Sequence, residues 1–211
     1  MKLYGLPAAP NTWKVRAVAA HLGLPIEDVH VDLGRGEQRS ADYLALNPTG
    51  RTPTLLDGDF VLWESTAIMH YLASRTPNTL WPDDARARAD IMRWQSWDLQ
   101  HWGPTACQPL LFERFVKAIF NMGPPDAAVV EPAIEAFHRE AAVLERHLSS
   151  HRFLVGEDIT LAEFSVVASL VYASQAELPL SAYPHVTEWS GRVLGLAAWR
   201  DTAPTPTAVA A

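Results

Sequence analysis

Apolar and polar positions change rhythm along this chain. Residues 2–6 form a short apolar-rich run ended by Pro7, a strand signal. Residues 11–22 then place Val15, Val18, Ala19 and Leu22 at helical spacing, and Gly23 and Pro25 close the helix. Val29 and Val31 alternate with His30 and Asp32, which predicts a second strand. Residues 40–46 read as a short helix stopped by Asn47-Pro48. Two further runs, 54–56 and 60–63, flank Asp57-Gly58-Asp59, a hairpin signal. Residues 65–75 form a helix with Ile68, Met69 and Leu72 inward. The predicted order is β-α-β-α-β-β-α, with the first two strands parallel across a right-handed helical crossover.

Beyond Leu80-Trp81-Pro82 the period is helical throughout. Residues 84–99 carry Ile91, Trp94 and Trp97 inward, with Met92 a further inward candidate. Pro104 and Pro109 predict kinks or breaks. Residues 112–120 continue the apolar pattern up to Gly123-Pro124-Pro125. Ala133, Phe137, Val143, Leu144 and Leu148 give 127–148 a core-facing stripe. Thr160-Leu161-Ala162-Glu163 fits a capping box, opening a helix over 161–173 that is apolar nearly all round. Shorter helical pieces follow at 185–193 and 196–199. The fold class expected is two-domain α+β: residues 1–79, a linker at 80–84, an all-helical domain at 85–201 and a flexible tail at 202–211.

Composition narrows the function classes. The chain has 211 residues and a formal net charge of −7. Residues 1–80 are near neutral, with 7 basic and 8 acidic side chains, so the helical half carries most of the charge. An acidic balance excludes wholesale nucleic-acid binding, which needs a basic footprint. The single cysteine, Cys107, excludes an intramolecular disulfide framework, a paired-cysteine redox centre and a Cys-built zinc site. No apolar run is long enough for a signal peptide or a membrane span. A cytoplasmic protein with no membrane partner is expected.

The motifs are more specific. Asn47-Pro48-Thr49-Gly50-Arg51-Thr52-Pro53, then Asp57-Gly58, then Trp63-Glu64-Ser65-Thr66-Ala67-Ile68, stand in one block. This block resembles the N-P-x-G-x-V-P … D-G … L-x-E-S-x-A-I pattern of the cytosolic glutathione transferases, with Thr52 where Val is commoner. Gly156…Thr160-Leu161-Ala162-Glu163 resembles the family's second-domain stretch, with Glu in place of Asp. Asp32-Leu33…Gly36-Glu37-Gln38-Arg39 is similar to the phi- and theta-like classes. The resemblance covers roughly the whole chain. It implies a thioredoxin-like first domain, glutathione as co-substrate with no metal, and a homodimer.

The chemistry suits that ligand. Glutathione is an extended anionic tripeptide with a thiol, so its site must grip two carboxylates and an ammonium, pair a backbone and stabilise a thiolate. Ser65 falls at a predicted helix start, where free N–H groups favour an anion and the Ser65 hydroxyl can add a donor, and Glu64 can accept from an ammonium. A plain N-cap is the other role open to Ser65. The resemblance implies a cis bond at Thr52-Pro53, with the Thr52 backbone turned to the ligand; an ordinary strand-initiating Pro is the alternative. It also gives Gln38 and Arg39 the glycyl carboxylate, with Arg51 assisting. Either Arg could equally be a solvated surface charge.

The thiolate donor departs from the pattern. By register from Lys14-Val15, the hydroxyl position of the phi-like members is Ala9, which cannot donate. Pro10-Asn11…Lys14 resembles a bacterial subgroup in which an Asn takes this place. Asn11 is therefore the expected donor, with Thr12 second and Tyr4 a weaker candidate. Asn11 would also serve as an N-cap. Trp97, His101, Trp102, Leu111, Phe112 and Phe115 are expected to line an aromatic electrophile pocket. The expected activity is conjugation of the glutathione thiolate to a hydrophobic electrophile, in a detoxification role. Glutathione-dependent peroxide or disulfide reduction, and a non-catalytic interaction module of the same fold, stand as alternatives. His147 and His151, and Glu135 with His138, have metal-like spacing but no third ligand, and read as solvated faces.

Overall fold

The computed structural model describes residues 1–204. Contacts divide the chain into two units, Met1–Trp81 with the segment from Leu196 onward, and Pro82–Gly195.

The first unit holds a four-stranded sheet in the order β2-β1-β3-β4. Its strands are β1 (Lys2–Gly5), β2 (Glu27–His30), β3 (Thr54–Asp57) and β4 (Phe60–Trp63). β1 and β2 are parallel, with Leu3 opposite Asp28, as a helical crossover requires. β3 runs antiparallel to both β1 and β4. The turn between β3 and β4 has Gly58 at φ +63°, a left-handed conformation that favours glycine. The helices are α1 (Pro10–His21), α2 (Ala41–Leu46) and α3 (Ser65–Ser74). α1 and α3 pack together, and Leu3, Val15, Val18, Leu55, Ile68, Met69 and Leu72 are all fully buried. Burying one such side chain contributes about 1.5–3 kcal/mol, so these positions dominate the unit's stability.

Two boundaries differ from the sequence expectation. Leu80 is buried and Trp81 packs its ring 4.2 Å from that of His70, so both belong to the first unit rather than to a linker. The last helix, α10 (Ala197–Asp201), also lies in the first unit, against α1. Trp199 meets Trp13 edge-on at 5.5 Å, Trp13 Nε1 donates to Thr202 Oγ1 at 3.1 Å, and Arg16 donates to the Thr202 carbonyl at 2.7 Å. Apolar burial on α1 decides this placement, which helical periodicity cannot foresee. Thr202, expected in the tail, is thus bonded to α1; residues 205–211 of that tail lie outside the described residues.

The second unit is helical: α4 (Ala85–Trp97), α5 (Gln108–Leu111), α6 (Lys117–Ile119), α7 (Ala127–Leu148), α8 (Leu161–Ala168) and α9 (Pro184–Leu194). Pro104 does not break the chain. Asp98–Cys107 runs as π-helical turns, whose wider hydrogen-bond register absorbs the proline's missing N–H. A second π stretch spans Phe112–Val116. All eight residues of α8 are buried, and its capping box forms between Thr160 and Glu163. α8 ends at Ala168, five residues before the predicted end, and turns follow. Val143 and Met92, expected inward, are exposed, because neighbouring elements cover the adjacent stripes of α7 and α4 instead. No helix among the described residues is long and apolar enough to cross a membrane.

Candidate functional site

The site candidates of the first unit gather where loops meet helix starts. α1 opens at Pro10, with Ala9 as an N-cap that offers no side-chain bond. Asn11 is therefore a first-turn residue and not the cap. It is exposed, and its Oδ1 accepts from the Ser65 hydroxyl at 3.4 Å. Thr12, the second donor candidate, is only 1% exposed. Its Oγ1 is buried with no partner, and a Cβ added at Gly5 would lie 2.7 Å from it. Thr12 faces the β1 backbone, so it presents no donor to a ligand. Glycine at position 5 permits that approach of α1 to β1.

Glu64 and Ser65 mark the start of α3. Glu64 has φ +71° and ψ 114°, a region costly for a residue with a side chain. Such strain, of order 1–3 kcal/mol, persists where a site needs the geometry. The Glu64 side chain is exposed and caps nothing. Ser65 is 6% exposed, and its hydroxyl lies 3.4 Å from Asn11 Oδ1. Its backbone N–H and hydroxyl, at a helix start, can both serve an anion.

The Thr52-Pro53 peptide bond is cis. The turn before it is held by side chains to which the sequence analysis gave no role of their own. Asn47 Nδ2 donates to the Arg51 carbonyl at 2.8 Å and to Thr54 Oγ1 at 3.1 Å. Tyr43 Oη donates to the same carbonyl at 2.7 Å and meets Thr54 Oγ1 at 2.9 Å. Asn47 Oδ1 accepts from the Thr49 N–H and hydroxyl at 3.0 and 2.7 Å. Burial pushes the Tyr43 phenol up, with its bonds to Thr54 and Asn47 opposing. The available signal was Asn47-Pro48, read from the sequence as a helix stop and as the opening of the family-like block, with no role given to the Asn47 side chain. Arg39 and Arg51 extend into solvent, while Gln38 is half-buried with Oε1 buried and unpartnered. A buried acceptor without a donor fits a ligand N–H.

The chain matches the family model "Glutathione S-transferase, N-terminal domain" over residues 1–74, and "Glutathione S-transferase, C-terminal domain" over 127–192. It is 38% identical over 209 residues to "Glutathione S-transferase 3" of Zea mays, covering 96% of this chain and 92% of that one. The chain belongs to the glutathione S-transferase family. Among solved structures, glutathione transferase F7 from Populus trichocarpa superposes with a TM-score of 0.89 at 28% identity, covering 96% of this chain and 97% of that one. A glutathione S-transferase I bound with lactoylglutathione gives 0.86 at 26%, with 96% and 97% covered.

This glutathione S-transferase keeps most of its expected electrophile residues in the second unit's π-helical region. Trp97 is half-buried and donates to Glu140 at 3.1 Å; His101 and Phe112 are exposed; Leu111 and Phe115 are half-buried, with Phe115 5.1 Å from Tyr172. Trp102 departs from the expectation. It is 0% exposed, stacked on Trp97 at 5.7 Å and donating to the Val166 carbonyl at 3.2 Å, so it is core and lines no pocket. Cys107 is buried, and burial first and the Asp98 charge second push its thiol well above the usual range. It is unsuited to form a mixed disulfide.

Proposed function

We propose that the first unit of this glutathione transferase holds the tripeptide extended along its loops and keeps the sulfur as thiolate beside Asn11. The Glu64 carboxylate takes the ammonium, and the Ser65 N–H takes the γ-glutamyl carboxylate. The Thr52 backbone, next to Pro53, pairs the cysteinyl unit. Gln38, with Arg39 and Arg51, takes the glycyl end. The reading rests most on the 3.4 Å approach of Asn11 to Ser65. The contact brings the helix start that carries the candidate sulfur donor against the one that carries the candidate carboxylate anchor.

Chemically the site needs little else. A free thiol has a pKa of about 8.5, so only a few per cent is thiolate at neutral pH. One hydrogen bond to a charged sulfur, about 1.5–3 kcal/mol, lowers that by roughly 1–2 units. An amide neither takes nor gives a proton, so the thiol proton leaves to solvent. The thiolate then attacks an electrophilic carbon and displaces its leaving group, with catalysis arising from thiolate stabilisation and proximity. Trp97, His101, Leu111, Phe112 and Phe115 are the side chains we assign to a hydrophobic electrophile.

The same reading makes the protein a cytoplasmic homodimer that detoxifies electrophiles, as the family resemblance implies; sedimentation analysis tests the dimer. For the ligand, glutathione at 100 times its dissociation constant should stabilise the fold by about 2.7 kcal/mol. An upward melting shift together with turnover of an activated aryl halide is expected. The absence of both at millimolar glutathione would refute the reading.

A further inference from the structure

The end of α7, the residues just after it and α9 enclose an open recess of about 280 Å3 in the second unit. His151, Arg152, His185, Trp189 and Arg192 line it, and Glu188 is the acidic residue of that lining. The chain carries a formal charge of −7, so two guanidinium groups and two imidazoles around one recess run against the charge of the whole.

The two arginines are held close to one another. Arg192 Nη1 donates to the Arg152 carbonyl at 2.8 Å, and Nη2 donates to Glu188 Oε1 at 2.7 Å. Its guanidinium carbon stands 6.0 Å from the centroid of the Phe153 ring, and that of Arg152 stands 5.4 Å from the same centroid. The Arg152 guanidinium has no hydrogen-bond or ion-pair partner among the described residues. The Glu188 side chain is 73% exposed, and an exposed pair of that kind answers little of the arginine's charge. Acceptors are short elsewhere too. Trp189 is 1% exposed, and its indole N–H is buried with no partner among the described residues. Carbonyls at the end of α7 are already occupied, Ser149 Oγ donating to that of Arg146 at 2.8 Å and His151 Nδ1 lying 3.0 Å from that of His147. Glu145 meets His185 Nδ1 at 2.6 Å and accepts from the Val186 N–H at 3.1 Å, so it is committed to the start of α9.

We propose that this recess binds a phosphate group, as the free ion or a small monoester, with Arg152 and Arg192 as its anchors. A guanidinium presents its donors as a planar fork that matches two oxygens of a phosphate. One fork satisfies a carboxylate, whereas two beside each other suit a tetrahedral dianion. The volume admits a group of that size and little beyond it. None of the residues assigned to glutathione or to the electrophile takes part, so no residue is shared with the conjugation chemistry.

The test is calorimetric titration of the whole chain with sodium phosphate and with glycerol 3-phosphate, at ionic strength matched with sodium chloride and with S-methylglutathione present to fill the glutathione site. Wild type should bind one equivalent with a dissociation constant in the millimolar range. Arg152→Gln removes a guanidinium that bonds to no protein group, so it should weaken binding about tenfold and leave kcat and the KM for glutathione within about twofold. Arg192→Lys keeps the charge but loses the fork, and should weaken binding about three- to fivefold. Tighter binding of the ester identifies a phosphate monoester as the ligand, and tighter binding of inorganic phosphate the free ion; both support the site.

No saturable binding of either compound up to about 50 mM overturns the proposal. So does binding that Arg152→Gln and Arg192→Lys leave within about twofold of wild type, because the phosphate then sits elsewhere. Sodium acetate displacing phosphate at equal concentration refutes the paired-guanidinium geometry. Should Arg152→Gln fail to fold, Arg152→Lys should weaken binding about threefold, and unchanged affinity there counts against the proposal.

Discussion

Replacing Asn47 with alanine tests whether the turn before Pro53 is held as the structure indicates. Asn47 is 1% exposed and makes four hydrogen bonds, two from Nδ2 and two to Oδ1. At about 0.5–1.5 kcal/mol net apiece, the gross loss is about 2–6 kcal/mol. The lower part of that range applies, because the bonds from Tyr43 remain to the Arg51 carbonyl and Thr54 Oγ1 and because Thr49 is exposed and can turn to water. We expect Asn47→Ala to cost about 2–3 kcal/mol. At roughly 2–4 °C per kcal/mol for a chain of this size, melting should fall by about 4–12 °C. Asn47→Asp should be no better, since it sets an acceptor against the Arg51 carbonyl. Because the same bonds hold Thr52 in place, the KM for glutathione should rise in both variants. Thermal unfolding followed by circular dichroism, with steady-state kinetics on the same preparations, reads both effects. An Asn47→Ala protein within about 0.5 kcal/mol of wild type and with an unchanged KM would refute the argument, because surface substitutions alone produce changes that small.

Three further outcomes follow from the same geometry. Burial raises the Glu163 carboxyl to about 7, against bonds from Leu154, Thr160 and its own backbone. Its proton is held more tightly folded than unfolded, so its contribution is full below the unfolded value near 4.5 and lost as pH rises through about 7. Wild type should therefore lose stability relative to Glu163→Gln between about pH 5 and 8, and parallel denaturation curves across that window would contradict this. Glu64→Gly removes the positive-φ strain and the ammonium acceptor together, so melting should hold or rise by the equivalent of about 1 kcal/mol while glutathione binds more weakly, which calorimetry can separate. Trp199→Ala should cost about 3–5 kcal/mol, measured by chemical denaturation, and a loss under about 1 kcal/mol would show that α10 adds little to the first unit.

The elements were legible in the sequence because each is specified locally. The hairpin at Asp57-Gly58, the Thr160 cap and the apolar periods of α1, α3 and α7 depend on residues within a few positions of one another. The 47–68 block was legible for the same reason, since a turn, a cis-proline and a helix start are short-range features. Which face of an element becomes covered is settled by partners far along the chain. Tertiary packing alone sent Trp102 into the core, sealed Thr12 against Gly5, returned α10 to α1 and brought the Ser65 hydroxyl to Asn11. A residue's type sets what it can donate, accept or bury; only the closing of long loops sets what stands within reach of it.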